Sequence, residues 1–189
     1  MSAVIRHVIV DRDGVLNRED PDGWVLDPSA WHWEAGALEA LRIFARAGVR
    51  VSVATNQSCV GRGMADRAMI DAVHQEMRAM TRRGGGVIDA VYVCPHVDAD
   101  GCECRKPKPG LIRQAVAASG IVAEQTLFVG DTARDLEAAR AAGVAAVLVL
   151  SGRGQSHQDH ARATGVPVLA DLHAVARAVA AGEPIRSES

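Results

Sequence analysis

The stretch "VIVDRDGVLN" (8–17) runs as a buried strand and then places two carboxylates, Asp11 and Asp13, within three positions. Asp-Gly is turn chemistry, so Asp13-Gly14 can simply end a strand. That explains Asp13 but not Asp11. Other apolar runs end in a similar way, one in Thr55-Asn56-Gln57 and another in Gly130-Asp131-Thr132, with Asp135 one helical turn further. Carboxylates that converge repel one another unless a cation lies between them, and hard oxygen ligands with open positions favour Mg²⁺. A phosphate ester would supply the remaining oxygens. In that arrangement Asp11 attacks phosphorus, while Asp13, two residues on, points to the other side and exchanges a proton with the leaving oxygen. Thr55 offers a hydroxyl and nearby backbone N–H groups to the transferring phosphoryl.

A second constellation is "CPHVDADGCEC", in which Cys94, His96, Cys102 and Cys104 fall within eleven residues. Three thiolates and one imidazole saturate a tetrahedral Zn²⁺ with no open position, so such a site is structural. The plainer alternative is a loop of reduced cysteines. Arg105 and Lys106 follow the last ligand directly, so zinc would fix the loop that aims both cations. Lys106 and Lys108 are the only lysines in the chain, and where arginine is the habitual cation a lysine marks a place that wants a compact point charge.

Strand ends gather these residues only if the chain folds as a wound parallel sheet, where ligands bind at the carboxyl ends of strands. The runs 7–10, 50–54, 90–93, 126–129, 145–150 and 166–169 alternate with helical spacing, the pattern of an α/β protein. Helices are predicted over 36–47, 110–119 and 134–142, each stopped by a glycine (Gly48, Gly120, Gly143). A longer helix is predicted over 64–83, with Met64, Ile70, Val73, Met77 and Met80 as a core stripe. The remainder reads as one domain over 1–182 with a flexible polar tail over 183–189. Residues 151–160, "SGRGQSHQDH", read as a surface loop, which leaves Arg153 away from any second phosphate and His157 and His160 solvated. Trp31 and Trp33 read as packing residues.

A net charge of −2 without a long basic run argues against nucleic acid or an anionic membrane surface as partner. No run of 18 apolar residues occurs, and the N-terminus enters a strand directly instead of passing through a leader pattern, so the expected location is cytoplasmic. The cysteine spacing suits a metal better than a disulfide framework and agrees with that compartment.

"DRDGV", "TNQS", "CRKPKPG" and "GDTARD", in this order, resemble the four motifs of the haloacid dehalogenase (HAD) superfamily of aspartate-dependent phosphatases. The resemblance implies a Rossmann-like doubly wound parallel sheet, Asp11 as nucleophile, Asp13 as general acid and base, and Thr55 and Lys106 as phosphoryl stabilisers. It implies Mg²⁺ held by Asp11, the Asp13 carbonyl and Asp131, with Asp135 binding through water or supporting the ligands. Together with the zinc loop, these motifs are similar to those of phosphatases acting on a seven-carbon sugar bisphosphate in the supply of nucleotide-activated heptose for lipopolysaccharide. That likeness puts Arg105 on the distal part of the substrate and Asp22, Gly23, Trp24, Asn56, Gln57, Ser58 and Thr132 around it. Histidinol phosphate is the competing substrate. With a short flap over 14–35 and no large insertion between motifs, no separate cap domain is expected, and the chain is expected to act as a monomer. A phospho-accepting signalling domain also uses clustered aspartates, a Thr and a Lys, but needs neither Asp13 as proton shuttle nor a zinc loop.

Overall fold

The computed structural model describes residues 4–19 and 23–187. Six strands, β1 (His7–Val10), β2 (Arg50–Asn56), β3 (Ala90–Cys94), β4 (Thr126–Gly130), β5 (Ala145–Val149) and β6 (Val168–Leu169), form one sheet in the order β3-β2-β1-β4-β5-β6. Every neighbouring pair is parallel, with His7 of β1 opposite both Arg50 and Thr126. Parallel pairing requires crossovers, which here run through α1 (Ala37–Arg46), α3 (Arg67–Arg83), α4 (Gly110–Ser119), α5 (Ala133–Ala142) and α6 (Gly154–Ala163). The short α2 (Ser58–Gly61) follows β2, and α7 (Leu172–Ala181) closes the described chain.

Both faces of β1 are buried because helices cover them. Strand alternation sends Val8 and Val10 into one core with Phe44, Met77 and Leu172, and Ile9 into the other with Leu111, Phe128 and Ala138. Trp31 belongs to the first core and stacks edge-on with Trp33 at 5.1 Å between ring centroids. Gly120 and Gly143 cap α4 and α5 in the left-handed region, which a glycine enters without steric cost.

Three readings change. The helix expected over 64–83 begins at Arg67, because Asp66 takes the cap and accepts from the Met69 N–H; Met64 is therefore outside it and exposed, while Ile70, Val73 and Met77 are buried as expected. Residues 154–163 form α6 where a loop was expected, with Ala161 buried against the sheet and His157 and His160 half-buried on it. In the polar tail, Ile185 packs on the first core and the Ser187 hydroxyl accepts from the Val168 N–H.

The flap forms no layer of its own. Asn17 bridges to Asp13 and to Trp33, and one 3₁₀ turn occupies Pro28–Ala30, so no cap domain covers the strand ends among the described residues.

Candidate active site

The strands β2, β1 and β4 are neighbours, so the residues ending them meet. Asp11 and Asp13 follow β1, Thr55 and Asn56 end β2, and Asp131 follows β4, all lining a cleft of about 420 Å³. Lys106, buried, arrives from the loop after β3: its Nζ lies 2.8 Å from Asp11 Oδ1 and 2.7 Å from Asp135 Oδ1, and donates to the Ala54 carbonyl at 2.9 Å. The loop backbone is held by a reciprocal pair between Asn56 and Lys106, each 3.1 Å long. Thr132 caps α5, its hydroxyl donating to Asp135 Oδ2 at 2.6 Å.

Asp11, Asp131 and Asp135 place carboxylate oxygens within 4.8 Å of one another. Burial pushes Asp11 up to about 7 against the pull of Lys106, and the charge of Asp135 adds to the rise. Burial likewise pushes Asp131 up to about 8, reinforced by Asp11 and Asp135. One ammonium therefore does not balance three carboxylates. Asp135 Oδ1, though close to Lys106, lacks a well-directed hydrogen bond. A hard divalent cation with its own waters answers both deficits, so the donor set fits Mg²⁺. Gly14 and Gly152 shape this place: a Cβ on either would fall 2.1 or 2.3 Å from Asp131 Oδ2, and both have positive φ.

Asp13 faces a different set of partners. Its Oδ1 accepts from Arg12 Nε at 3.2 Å, Arg12 NH2 at 2.7 Å and Asn17 Nδ2 at 2.9 Å. Its Oδ2 accepts from Gln57 Nε2 at 2.9 Å. Burial alone would raise its pKa, but the Arg12 charge and these hydrogen bonds hold it below the usual carboxylate range. Gln57, expected to meet substrate, is instead fully buried, and its amide nitrogen also donates to Thr55 Oγ1 at 2.8 Å. That leaves the threonine hydroxyl proton free for a phosphoryl oxygen.

The sulfur and nitrogen atoms of Cys94, His96, Cys102 and Cys104 lie 3.3–3.7 Å apart in the five pairs within contact. Tetrahedral zinc with bonds of about 2.0–2.3 Å needs donor separations of about 3.4–3.8 Å, so the four residues fit that ion. Arg105, next to the last of them, is held by Asp98 at 2.5 Å and by the His96 carbonyl at 3.2 Å, and it lines the cleft.

Gly23, Trp24 and Ser58 line the cleft as expected; Asp22 lies outside the described residues. The cleft also contains Arg62, Arg134, Arg153 and Glu19, which sequence reasoning did not place there. Arg153 approaches twice, its N–H donating to Asp131 Oδ2 at 2.9 Å and its side chain pairing with Glu19 at 2.8 Å. Its glycine-flanked position in "SGRG", directly after a strand, was the available signal. Arg134 lies inside "GDTARD" between the two aspartates, and Arg62 stands in no motif.

A wound parallel sheet with two aspartates after its central strand, a buried lysine and a third aspartate at the next strand end defines an aspartate-dependent phosphohydrolase. A HAD-hydrolase-like family model matches residues 103–175. A D-glycero-β-D-manno-heptose-1,7-bisphosphate 7-phosphatase of Pseudomonas aeruginosa is 40% identical over 172 residues, 91% of this chain and 96% of that protein. A D-glycero-α-D-manno-heptose-1,7-bisphosphate 7-phosphatase of Mycobacterium bovis is 32% identical over 153 residues, 77% of this chain and 79% of that one. The crystal structure of D,D-heptose 1,7-bisphosphate phosphatase from Bordetella bronchiseptica, complexed with magnesium and phosphate, superposes with a TM-score of 0.84 at 38% identity, over 92% of this chain and 97% of that one. The chain belongs to the heptose-bisphosphate phosphatase family of HAD-like hydrolases.

Proposed function

We propose that this protein is a Mg²⁺-dependent phosphatase that removes the 7-phosphate of D-glycero-D-manno-heptose 1,7-bisphosphate. The observation that carries this reading is the pairing of Lys106 with Asp11 beneath a cleft rimmed by Arg62, Arg105, Arg134 and Arg153, which suits a substrate bearing two phosphates. The β anomer is favoured, since the P. aeruginosa relative named for it is 40% identical and the α-specific relative 32%.

An Asp11 carboxylate oxygen attacks phosphorus and the bond from phosphorus to the C7 oxygen breaks. Asp13, ionised in the free site, takes a proton from the incoming phosphate monoester and passes it to this leaving oxygen. A water then attacks the phosphorus of the aspartyl phosphate, Asp13 takes the water's proton, and phosphate departs with Asp11 restored. Thr55 and Lys106 hold the transferring oxygens throughout. Mg²⁺, held by Asp11, Asp131 and the Asp13 carbonyl with Asp135 behind them, would neutralise the charge that collects on those oxygens. Zn²⁺ on Cys94, His96, Cys102 and Cys104 would fix the loop carrying Arg105 and Lys106.

The working unit in this reading is a monomer. No helix among the described residues is long and apolar enough to cross a membrane. A cluster of reduced thiols suits the cytoplasm. The product, a heptose 1-phosphate, has the form that a nucleotidyl transfer requires, in line with a supply of nucleotide-activated heptose for lipopolysaccharide.

The test is turnover with Mg²⁺ on the β and α anomers of heptose 1,7-bisphosphate, histidinol phosphate and fructose 1,6-bisphosphate, side by side. The expected order places the β heptose first by kcat/KM. A clear preference for histidinol phosphate would replace the substrate, and stoichiometric labelling without repeated phosphate release would indicate a phospho-accepting signalling domain.

A further inference from the structure

Arg12, the residue between the two aspartates, is fully buried, a place that suits a guanidinium only when its donors are met. Its Nε and NH2 go to Asp13 Oδ1, and its NH1 donates to His74 Nε2 at 3.2 Å. His74 belongs to α3, far along the chain, and is itself buried. A guanidinium can only donate, so His74 must present a lone pair at Nε2 and carry its proton on Nδ1. Burial, with the Arg12 charge beside it, pushes the imidazole down to about 3, so the ring is neutral.

The effect on Asp13 is asymmetric. Oδ1 is filled by two Arg12 nitrogens and Asn17, whereas Oδ2 receives Gln57 alone. Asp13 is also one of the residues lining the cleft. An oxygen with three donors has no lone pair left for a proton; one with a single donor has.

We propose that His74 is a positioning residue for the reaction: by fixing the Arg12 fork against Oδ1 it reserves Oδ2 of Asp13 as the oxygen that gives and takes the proton. Oδ2 takes a proton from the incoming phosphate monoester and passes it to the C7 oxygen as the phosphorus–oxygen bond breaks. A proton from the attacking water returns to Oδ2 as the aspartyl phosphate is cleaved. Without the acceptor on His74, NH1 is left buried and unpaired, the fork turns to find another partner, and Oδ2 loses its aim. The inference deepens the proposed function and rests on Asp13 as proton carrier.

The experiment pairs His74→Met, which keeps volume and removes the acceptor, with His74→Gln, whose amide oxygen can accept from Arg12. On heptose 1,7-bisphosphate the Met variant is expected to lose about tenfold or more in kcat with KM within about threefold, and the Gln variant to stay within about threefold of wild type. On p-nitrophenyl phosphate, whose leaving group needs no proton, the Met variant should show a burst of about one p-nitrophenolate per active site and a phosphate adduct on the peptide holding Asp11. A merely structural role lowers both substrates together with no burst, and that result overturns the proposal, as does equal behaviour of the two variants. A nitrogen-15 spectrum of the wild-type protein at neutral pH needs no variant to fold: a proton on Nδ1 alone is expected, and a proton on Nε2 overturns the proposal. Unimpaired His74→Met beside an impaired Asp13→Asn removes the anchor and leaves the proton carrier. Unimpaired Asp13→Asn removes both.

Discussion

Lys106 Nζ lies 2.7 Å from Asp135 Oδ1, with only 3% and 1% of the two side chains exposed. So dry a pair is a poor source of net stability, but removing one partner strands the other. Lys106→Met is therefore expected to cost about 3–5 kcal/mol in the absence of divalent metal, because Asp11 and Asp135 lose the cation between them. Urea unfolding in EDTA measures this, and millimolar Mg²⁺ should recover part of the loss, since it supplies positive charge to the same carboxylates. Unchanged stability in EDTA would mean that the pair is not formed.

Asp11→Asn is expected to abolish turnover without unfolding the protein, since the amide keeps the shape but cannot attack phosphorus usefully. Asp13→Asn is expected to lose about 10²–10⁴ in rate and to let the phosphorylated enzyme accumulate, because departure and hydrolysis both need its proton. Rapid-quench mass spectrometry of the peptide holding residues 8–17 distinguishes the two. Near-normal turnover of Asp11→Asn would end the proposed mechanism.

Metal analysis of protein purified without chelator should find about one zinc per chain, the occupancy of a saturated structural site. Stripping it is expected to loosen residues 94–106, seen as faster hydrogen exchange there, and to raise KM at least as much as it lowers kcat. Zinc below about a tenth of the chain concentration would exclude the site.

Arg105→Ala is expected to weaken sugar bisphosphates about 10- to 150-fold while sparing monophosphates of similar size, the usual effect of losing one charge-assisted contact of about 1.5–3 kcal/mol. Asp98 and the His96 carbonyl already hold the guanidinium in place, so little reorganisation precedes binding. Equal losses on both substrate types would show that Arg105 does not read the second phosphate.

His7, buried beside Ser52 with Nδ1 unpartnered, is pushed down to about 4 by burial, helped by the Arg50 charge and opposed by Asp89. The unfolded chain takes up this proton near pH 6.5 and the folded one does not until about pH 4, so the contribution is complete above 6.5 and is lost as pH falls toward 4. Between pH 7.5 and 5.0 this amounts to at most about 2 kcal/mol. His7→Gln, which cannot titrate, should flatten that part of the stability profile in urea melts. Parallel profiles for the two proteins would exclude His7 as the group responsible.

Spacing along the chain determined what neighbouring residues decide between themselves. Two aspartates at the end of an apolar run, four soft ligands in eleven residues and three glycine-stopped helices state their local geometry directly, because a strand, a short loop and a helix end each have few conformations. The β1 and β4 motifs also showed that Asp11 and Asp131 leave strands, and a parallel sheet puts strand ends on one edge. Helix starts were less legible: Asp66 outcompeted the methionine period by offering α3 a cap, and α6 carries too few apolar residues to stand out from a loop.

Only the tertiary structure decided which distant side chains share a volume. The order β3-β2-β1-β4-β5-β6 sets Arg62, Arg134 and Arg153 around one cleft, although they leave different segments and no spacing connects them. Gln57 looked like its neighbours Asn56 and Ser58, yet at the cap of α2, one residue past β2, it turns inward to Asp13 and Thr55. Nothing in the sequence marks Arg12 for burial, and it is buried with His74, 62 residues away, meeting its third nitrogen. A single sequence records each of these side chains, but burying a charge is favourable only where partners from elsewhere in the fold arrive to meet it, and their arrival is a property of the packed sheet and helices.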